Sequence, residues 1–217
     1  GVLRPGDELL YITGKPYDTL DEITGAHGSG NGSLQEFNIT YNYVNLKEDG
    51  TVDFEAVRKA IHPHTKMVAI QRSKGYASRP SFTVDEIGEM IRFVKEIKPD
   101  TVVFVDNCYG EFVEEKEPCH VGADLMAGSL IKNPGGGLAK TGGYICGKKK
   151  WVESCAYRTT SPGIGAEAGA SLYSLLEMYQ GFFLAPHVVA EALKGAVFTS
   201  AILEKSGMHT YPKWDAP

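Results

Sequence analysis

Basic clusters, paired cysteines and long apolar runs are scarce in this chain, and each shortage removes a class of function. Lysine and arginine total 22 against 27 aspartate and glutamate, a formal net charge of −5. They are scattered except for Lys148-Lys149-Lys150, which reads as a surface cap at the end of a strand. A general nucleic-acid binder needs a concentrated positive face, so no nucleic-acid partner is expected. No contiguous apolar run reaches the roughly 18 residues of a membrane span, so no membrane association is expected either. The cysteines, Cys108, Cys119, Cys146 and Cys155, form no C-x-x-C pair, and reduced thiols in a cytoplasmic protein are the expectation. His62 and His64 make an H-x-H with no cysteine or carboxylate cluster beside it. That reads as two loop histidines after a helix, with no metal. There is no repeat, low-complexity segment, signal peptide or initiator methionine, and the opening Gly-Val-Leu-Arg-Pro-Gly-Asp reads as the middle of a domain.

What is present is a globular composition: 217 residues, 42% hydrophobic and 23% charged, enough for a sizeable core. Residues 7–12 read as a short buried strand, 25–33 as a glycine-rich flexible loop, and 39–46, with alternating polarity, as a second strand. Asp53 caps a helix through Ile61, and 66–71 returns as a strand. Thr83 and Glu86 have capping-box spacing. The helix they open runs to about Ile97, with Ile87, Met90, Ile91 and Val94 on one apolar face. Strands follow at Val102, Asp124 and Gly143. Strands separated by helices predict an α/β fold, a mostly parallel sheet flanked by helices. The remainder reads as two helices, 167–183 and 186–205, with Pro186 in the first turn of the second. Val188, Val189, Ala192, Leu193, Ala196, Val197 and Ala201 keep helical spacing and read as core or interdomain packing. The division is a large domain over 1–185, lacking its N-terminal part, then a connecting helix and the start of a small domain over 186–217.

The chemistry concentrates between Val102 and Gly143. An apolar run ends in Asp106; a second is followed by Lys132 and then Gly135-Gly136-Gly137. In an open parallel sheet ligands sit outside the carboxyl ends of strands. An acid at one such end and a lysine after the next suit pyridoxal 5′-phosphate (PLP). The acid pairs with the pyridinium nitrogen and the lysine holds the aldehyde as a Schiff base. Taken alone, Asp106 is also an ordinary turn residue and Lys132 an ordinary loop lysine. Lys140 is the nearest rival, but no apolar strand precedes it closely. The glycines would let backbone pass close to a ligand or subunit. Ser129 could donate a hydroxyl to a phosphate or simply be a small strand residue. The glycines fit neither G-x-x-x-x-G-K-[ST] nor a strand-linked G-x-G-x-x-G, which argues against a nucleotide-binding protein.

The runs FVDNCYGEFVE, GADLMAGSLIKNPGGGLAKTGGYI and YRTTSPGIGAEAGA resemble the aluminium-resistance protein family. It is a branch of the fold-type-I PLP enzymes related to cystathionine and methionine lyases. The resemblance implies the large domain of that fold. It also implies Lys132 as the Schiff-base lysine, Asp106 as the ring-nitrogen partner and Tyr17 as the residue stacking on the cofactor. Arg72 and Tyr76 would lie in the segment on the cofactor's other side, and residues 158–165 near a phosphate or a helix start. It further implies a phosphate-cradling loop upstream of Leu3 and a small domain downstream supplying an arginine for the substrate carboxylate.

The activity implied is elimination of a thiol from a sulfur amino acid, a small-molecule substrate, by a homodimer or homotetramer. Lys132 would act as general base and Tyr17 would assist the leaving group. The alternatives are another fold-type-I reaction, such as transamination or aldol cleavage, and a non-catalytic PLP-fold protein serving stress resistance.

Overall fold

Side chains alternate between the two faces of a strand, and that period assigns this chain's apolar residues to two cores. In the computed structural model, which describes residues 1–26 and 32–216, six strands form one sheet. They are β1 (Glu8–Tyr11), β2 (Thr40–Tyr43), β3 (Thr65–Gln71), β4 (Val102–Asp106), β5 (Leu125–Ser129) and β6 (Gly143–Gly147), in spatial order β2-β1-β3-β4-β5-β6. All neighbours are parallel except β5 and β6, which are antiparallel. The sheet is thus mostly parallel and flanked by helices, as expected. The expected loop over 25–33 falls in part on residues 27–31, outside the described set.

Leu10, Val68, Ile70, Val103 and Val105 face a core closed by helices α2 (Phe54–Ala60) and α3 (Val84–Ile97). Leu9, Met67, Ala69 and Val102 face the other side. There Leu20 of helix α1 (Thr19–Thr24) and Trp151 and Val152 of α4 (Lys149–Thr159) cover them. The buried strands run to 0–8% exposure on both faces, which explains near-continuous apolar runs such as Met67–Ile70.

Local signals act where expected. Asp53 Oδ1 accepts from Ala56 N at 2.9 Å, opening α2. The Thr83–Glu86 capping box is complete, Thr83 N donating to Glu86 Oε2 at 2.7 Å and Glu86 N to Thr83 Oγ1 at 3.3 Å. Lys148 follows β6 directly, as the N-cap of α4, and its Nζ lies 2.6 Å from Asp124 Oδ1. Lys95 Nζ reaches Asp124 Oδ2 at 2.6 Å. Asp124 Oδ2 also accepts from Val103 N at 2.8 Å, so one buried carboxylate ties α3, β4 and the start of α4 together, and its pKa is lowered. His62 is committed similarly: its ring lies 3.0 Å from Glu8 Oε2, a buried carboxylate that also accepts from Thr65 Oγ1 and Asn42 Nδ2.

The helical tail differs from the sequence expectation. Residues 165–167 make only a 3-10 turn, and one helix, α5, runs from Leu175 to Lys205 with Pro186 inside it. Proline removes one backbone donor from an interior turn, but the turns on either side carry the helix through. The domain boundary drawn between 185 and 186 therefore falls within a continuous element. Gly207, at φ 84°, ends it, its N–H bonding Glu204 O at 2.9 Å. The apolar positions assigned to packing are mostly open among the described residues: Val189 is buried, but Leu193 is 39% exposed and Val197 45%. By length and composition α5 is also apolar enough to cross a membrane, a property that the absence of a contiguous apolar run concealed.

Candidate active site

The order in which strands are added to the sheet reverses between β1 and β3, since β2 lies on one side of β1 and β3 on the other. Beyond the carboxyl ends of such strands a crevice opens. A cavity of about 210 Å³ lies there, lined by residues that follow β1 (Tyr17), β3 (Gln71, Ser73, Lys74, Tyr76), β4 (Asp106, Cys108, Tyr109) and β5 (Lys132).

Asp106 is the last residue of β4 and pairs in register with Gln71 and Ala127. Its Oδ1 accepts from Cys108 N at 3.2 Å. Lys132 leaves β5 through a turn in which Lys132 N bonds Ser129 O at 3.2 Å. It is half-buried, and its Nζ stands 4.6 Å from the centre of the Tyr109 ring, a cation–π contact. Cys108 lines the same cavity. Burial alone would lower the Lys132 pKa, yet Cys108, Tyr109 and Asp106 around it outweigh burial and raise it. The same surroundings push the Cys108 thiol up to about 11, through burial first and the Asp106 charge second. In this arrangement the lysine is held as a cation.

Tyr17 is fixed by its backbone: its N–H donates to Gln71 Oε1 at 2.9 Å, while Gln71 Nε2 donates to Ser73 O at 3.0 Å. Tyr76 lines the cavity mouth and is 91% exposed. Ser129 lies at the end of β5 outside the lining, its Oγ accepting from Ile131 N at 3.4 Å. Arg72 points into a buried polar network behind the cavity. It donates to Glu114 Oε1 at 2.5 Å, to Asn107 Oδ1 and Gly110 O at 2.9 Å, and to Phe82 O at 3.3 Å. That network continues through Asn107 Nδ2 to Glu117 and the Tyr144 hydroxyl, and from Tyr144 to Glu111 Oε1 at 2.8 Å. Glu111 is 3% exposed, and burial raises its carboxyl to about 7.

Sequence reasoning missed Gln71, Cys108, Tyr109 and Asn133. Cys108 and Tyr109 could have been found as the residues just beyond Asp106 at the same strand end. Asn133 could not: its side-chain amide donates to Tyr109 O at 2.9 Å and Glu111 O at 3.1 Å. It thereby clamps the Lys132 turn to the loop after β4, a contact between segments more than twenty residues apart.

The glycines after Lys132 accommodate a neighbour within the chain. A Cβ on Gly136 would stand 2.3 Å from Gly181 O, and one on Gly181 would stand 2.1 Å from Gly135 O. Helix α5 thus lies directly on the turn that carries Lys132, and Phe182 meets Phe112 edge-on at 5.5 Å. Lys140 faces away from the cavity, paired with Glu177 of α5 at 3.0 Å and 81% exposed.

The donor set fits PLP: an amine for the aldehyde and a carboxylate for the ring nitrogen open into the same cavity, beside an aromatic ring. Among the described residues, no cluster of histidine, cysteine and acidic residues could hold a metal.

Comparison with known proteins gives a consistent picture. The crystal structure of a carbon–sulfur lyase involved in aluminium resistance from Clostridium novyi NT superimposes with a TM-score of 0.93 at 49% identity, over 98% of this chain and 51% of that one. A Listeria monocytogenes protein, proposed to be a cystathionine beta-lyase involved in aluminium resistance, gives a TM-score of 0.97 at 67% identity, over 100% and 53%. An uncharacterized protein, YnbB, of Bacillus subtilis (strain 168) is 74% identical over 217 residues, all of this chain and 52% of that one. The chain therefore spans about half the length of the relatives it matches. The family model described as methionine gamma-lyase matches residues 1–217, and the chain belongs to that family.

Proposed function

We propose that the protein containing this chain is a PLP-dependent carbon–sulfur lyase that eliminates a thiol from a sulfur amino acid. The observation that carries the reading is the convergence of Lys132 and Asp106 on one cavity outside the strand ends, in a chain of the methionine gamma-lyase family. When bound, PLP supplies an electron sink for the substrate Cα. Asp106 would hold a proton at the ring nitrogen, its carboxylate oriented by the Cys108 N–H. Lys132 would anchor the cofactor through its Nζ, and the same amine, when free, would take the Cα proton as general base. Its place beside Cys108 and Tyr109 would keep the free amine near that proton rather than in solvent. Tyr17, held by Gln71, would cover the ring and pass a proton to the departing sulfur. Ser129, Arg72 and Tyr76 act at the margin of this proposal: Arg72 by keeping the loop after β4 in place, Ser129 by shaping the Lys132 turn, Tyr76 at the mouth. A cytoplasmic homodimer or homotetramer is part of the same reading.

The test is the visible spectrum of the full-length protein, followed by borohydride reduction and peptide mapping. A yellow protein labelled on Lys132, releasing ammonia, a keto acid and a thiol from a sulfur amino acid, is the expected result. A colourless protein that does not take up PLP would end the proposal.

A further inference from the structure

Cys119 and Cys146 are 27 residues apart in sequence and adjacent in space. Cys119 sits in the 3-10 turn Pro118–Val121, and Cys146 in β6, opposite Met126 of β5. The Cys119 sulfur donates to the Cys146 carbonyl oxygen at 4.0 Å, which sets the two residues side by side. Both are half-buried at the rim of the core under α3, and neither lines the Lys132 cavity. As apolar fillers they would need no mutual contact, because a sulfur packs equally well against the valines and isoleucines around it.

We propose that Cys119 and Cys146 form a dithiol site that a two-electron oxidant, such as a peroxide, converts reversibly to a disulfide. The segment between them contains β5, Lys132, the glycine turn and most of β6, so the cross-link would tie together the two ends of the segment that carries the lysine. The chemistry balances: the Cys119 thiolate attacks the peroxide, an S–O bond forms and the O–O bond breaks, giving a sulfenic acid and water. The Cys146 thiol then attacks that sulfur, the S–S bond forms, and a second water leaves. In sum, two thiols and one hydrogen peroxide give one disulfide and two waters. Their proximity lowers the Cys119 thiol and raises that of Cys146, which favours Cys119 as the first nucleophile. Among the described residues the other two thiols lie elsewhere: Cys108 lines the Lys132 cavity, and Cys155 lies on α4 against the other core.

The experiment uses the full-length PLP-loaded protein, treated with hydrogen peroxide in small excess, alkylated and digested without reductant. The expected result is one cross-linked peptide pair, Cys119 to Cys146, lighter by two hydrogens than the sum of its parts and resolved by dithiothreitol. Cys108 and Cys155 should be recovered alkylated. Cys119→Ser and Cys146→Ser should each abolish the pair. Recovery of both cysteines alkylated, or as separate sulfinic acids without a cross-link, would overturn the proposal. Because the readout is a peptide mass, it stands or falls separately from the lyase reading.

Discussion

Replacing Lys132 by alanine removes the amine that faces Asp106 across the cavity, and the expected outcome is loss of both covalent cofactor attachment and turnover, read by borohydride labelling and product assay. Retention of either would reassign the lysine. Asp124 offers a stability counterpart. Its buried carboxylate serves Lys95, Lys148 and Val103 N at once. Asp124→Ala should therefore cost about 2–4 kcal/mol, less than for a fully enclosed pair because both lysines are partly solvated. Chemical denaturation would measure it, and a loss under about 1 kcal/mol would contradict the ledger of contacts.

Glu111 makes stability depend on pH. Among the described residues its Oε2 is buried without a hydrogen-bond partner, Oε1 accepts from the Tyr144 hydroxyl, and the Glu117 and Asp106 charges add to the burial penalty. The folded carboxyl titrates near 7 against an ordinary value of 4.5. A raised folded pKa means that the group's stabilisation is complete below about 4.5 and lost as pH rises through about 7. Glu111→Gln, neutral throughout, should abolish this loss, so the variant should gain on the native protein by on the order of 3 kcal/mol between pH 5 and pH 8. Parallel urea midpoints for the two proteins across that range would show that Glu111 does not titrate there.

At the scale of elements, the seat of α5 on the Lys132 turn rests on missing Cβ atoms. Gly181→Ala puts a methyl 2.1 Å from Gly135 O, so the helix or the turn must move. A loss of about 2–3 kcal/mol with weaker PLP attachment is expected. Gly137 is the control. It also has positive φ, at 73°, but open space around it, so Gly137→Ala should cost only about 1 kcal/mol and leave the cofactor in place. Equal effects at both positions, in thermal melts and PLP titration, would mean that α5 does not brace the lysine. Much of this scale was legible in the sequence. The Thr83–Glu86 cap, the Asp53 cap and the alternation of the strands are local signals, and the structure repeats them within a residue or two, except that the strand expected over 39–46 is shorter, Thr40–Tyr43. The tail was not legible, because Pro186 locally favours a helix start and its tolerance inside α5 depends on neighbouring turns.

For the whole molecule, the exposed apolar surface of α5 sets the expectation. Leu176, Tyr179, Phe183 and Phe198 are each at least 66% exposed among the described residues, more apolar surface than a monomer commonly leaves open. Light scattering of the full-length protein should give a dimer or tetramer; a monodisperse monomer would count against the oligomeric reading.

The sequence by itself determined the order of the elements, the parallel sheet, and the strand ends at which Asp106 and Lys132 stand, because periodicity, caps and strand termini are encoded within a few consecutive residues. The long shared motifs determined the family. Only the tertiary structure decided that Arg72 belongs to the network behind the cavity, that Asn133 locks the lysine turn, that the glycine triplet accommodates α5, and that Cys119 meets Cys146. Each of these is a contact between segments distant in the chain. Such contacts depend on how the strands are ordered in the sheet and on how closely two backbones approach, quantities that no local pattern of residues records.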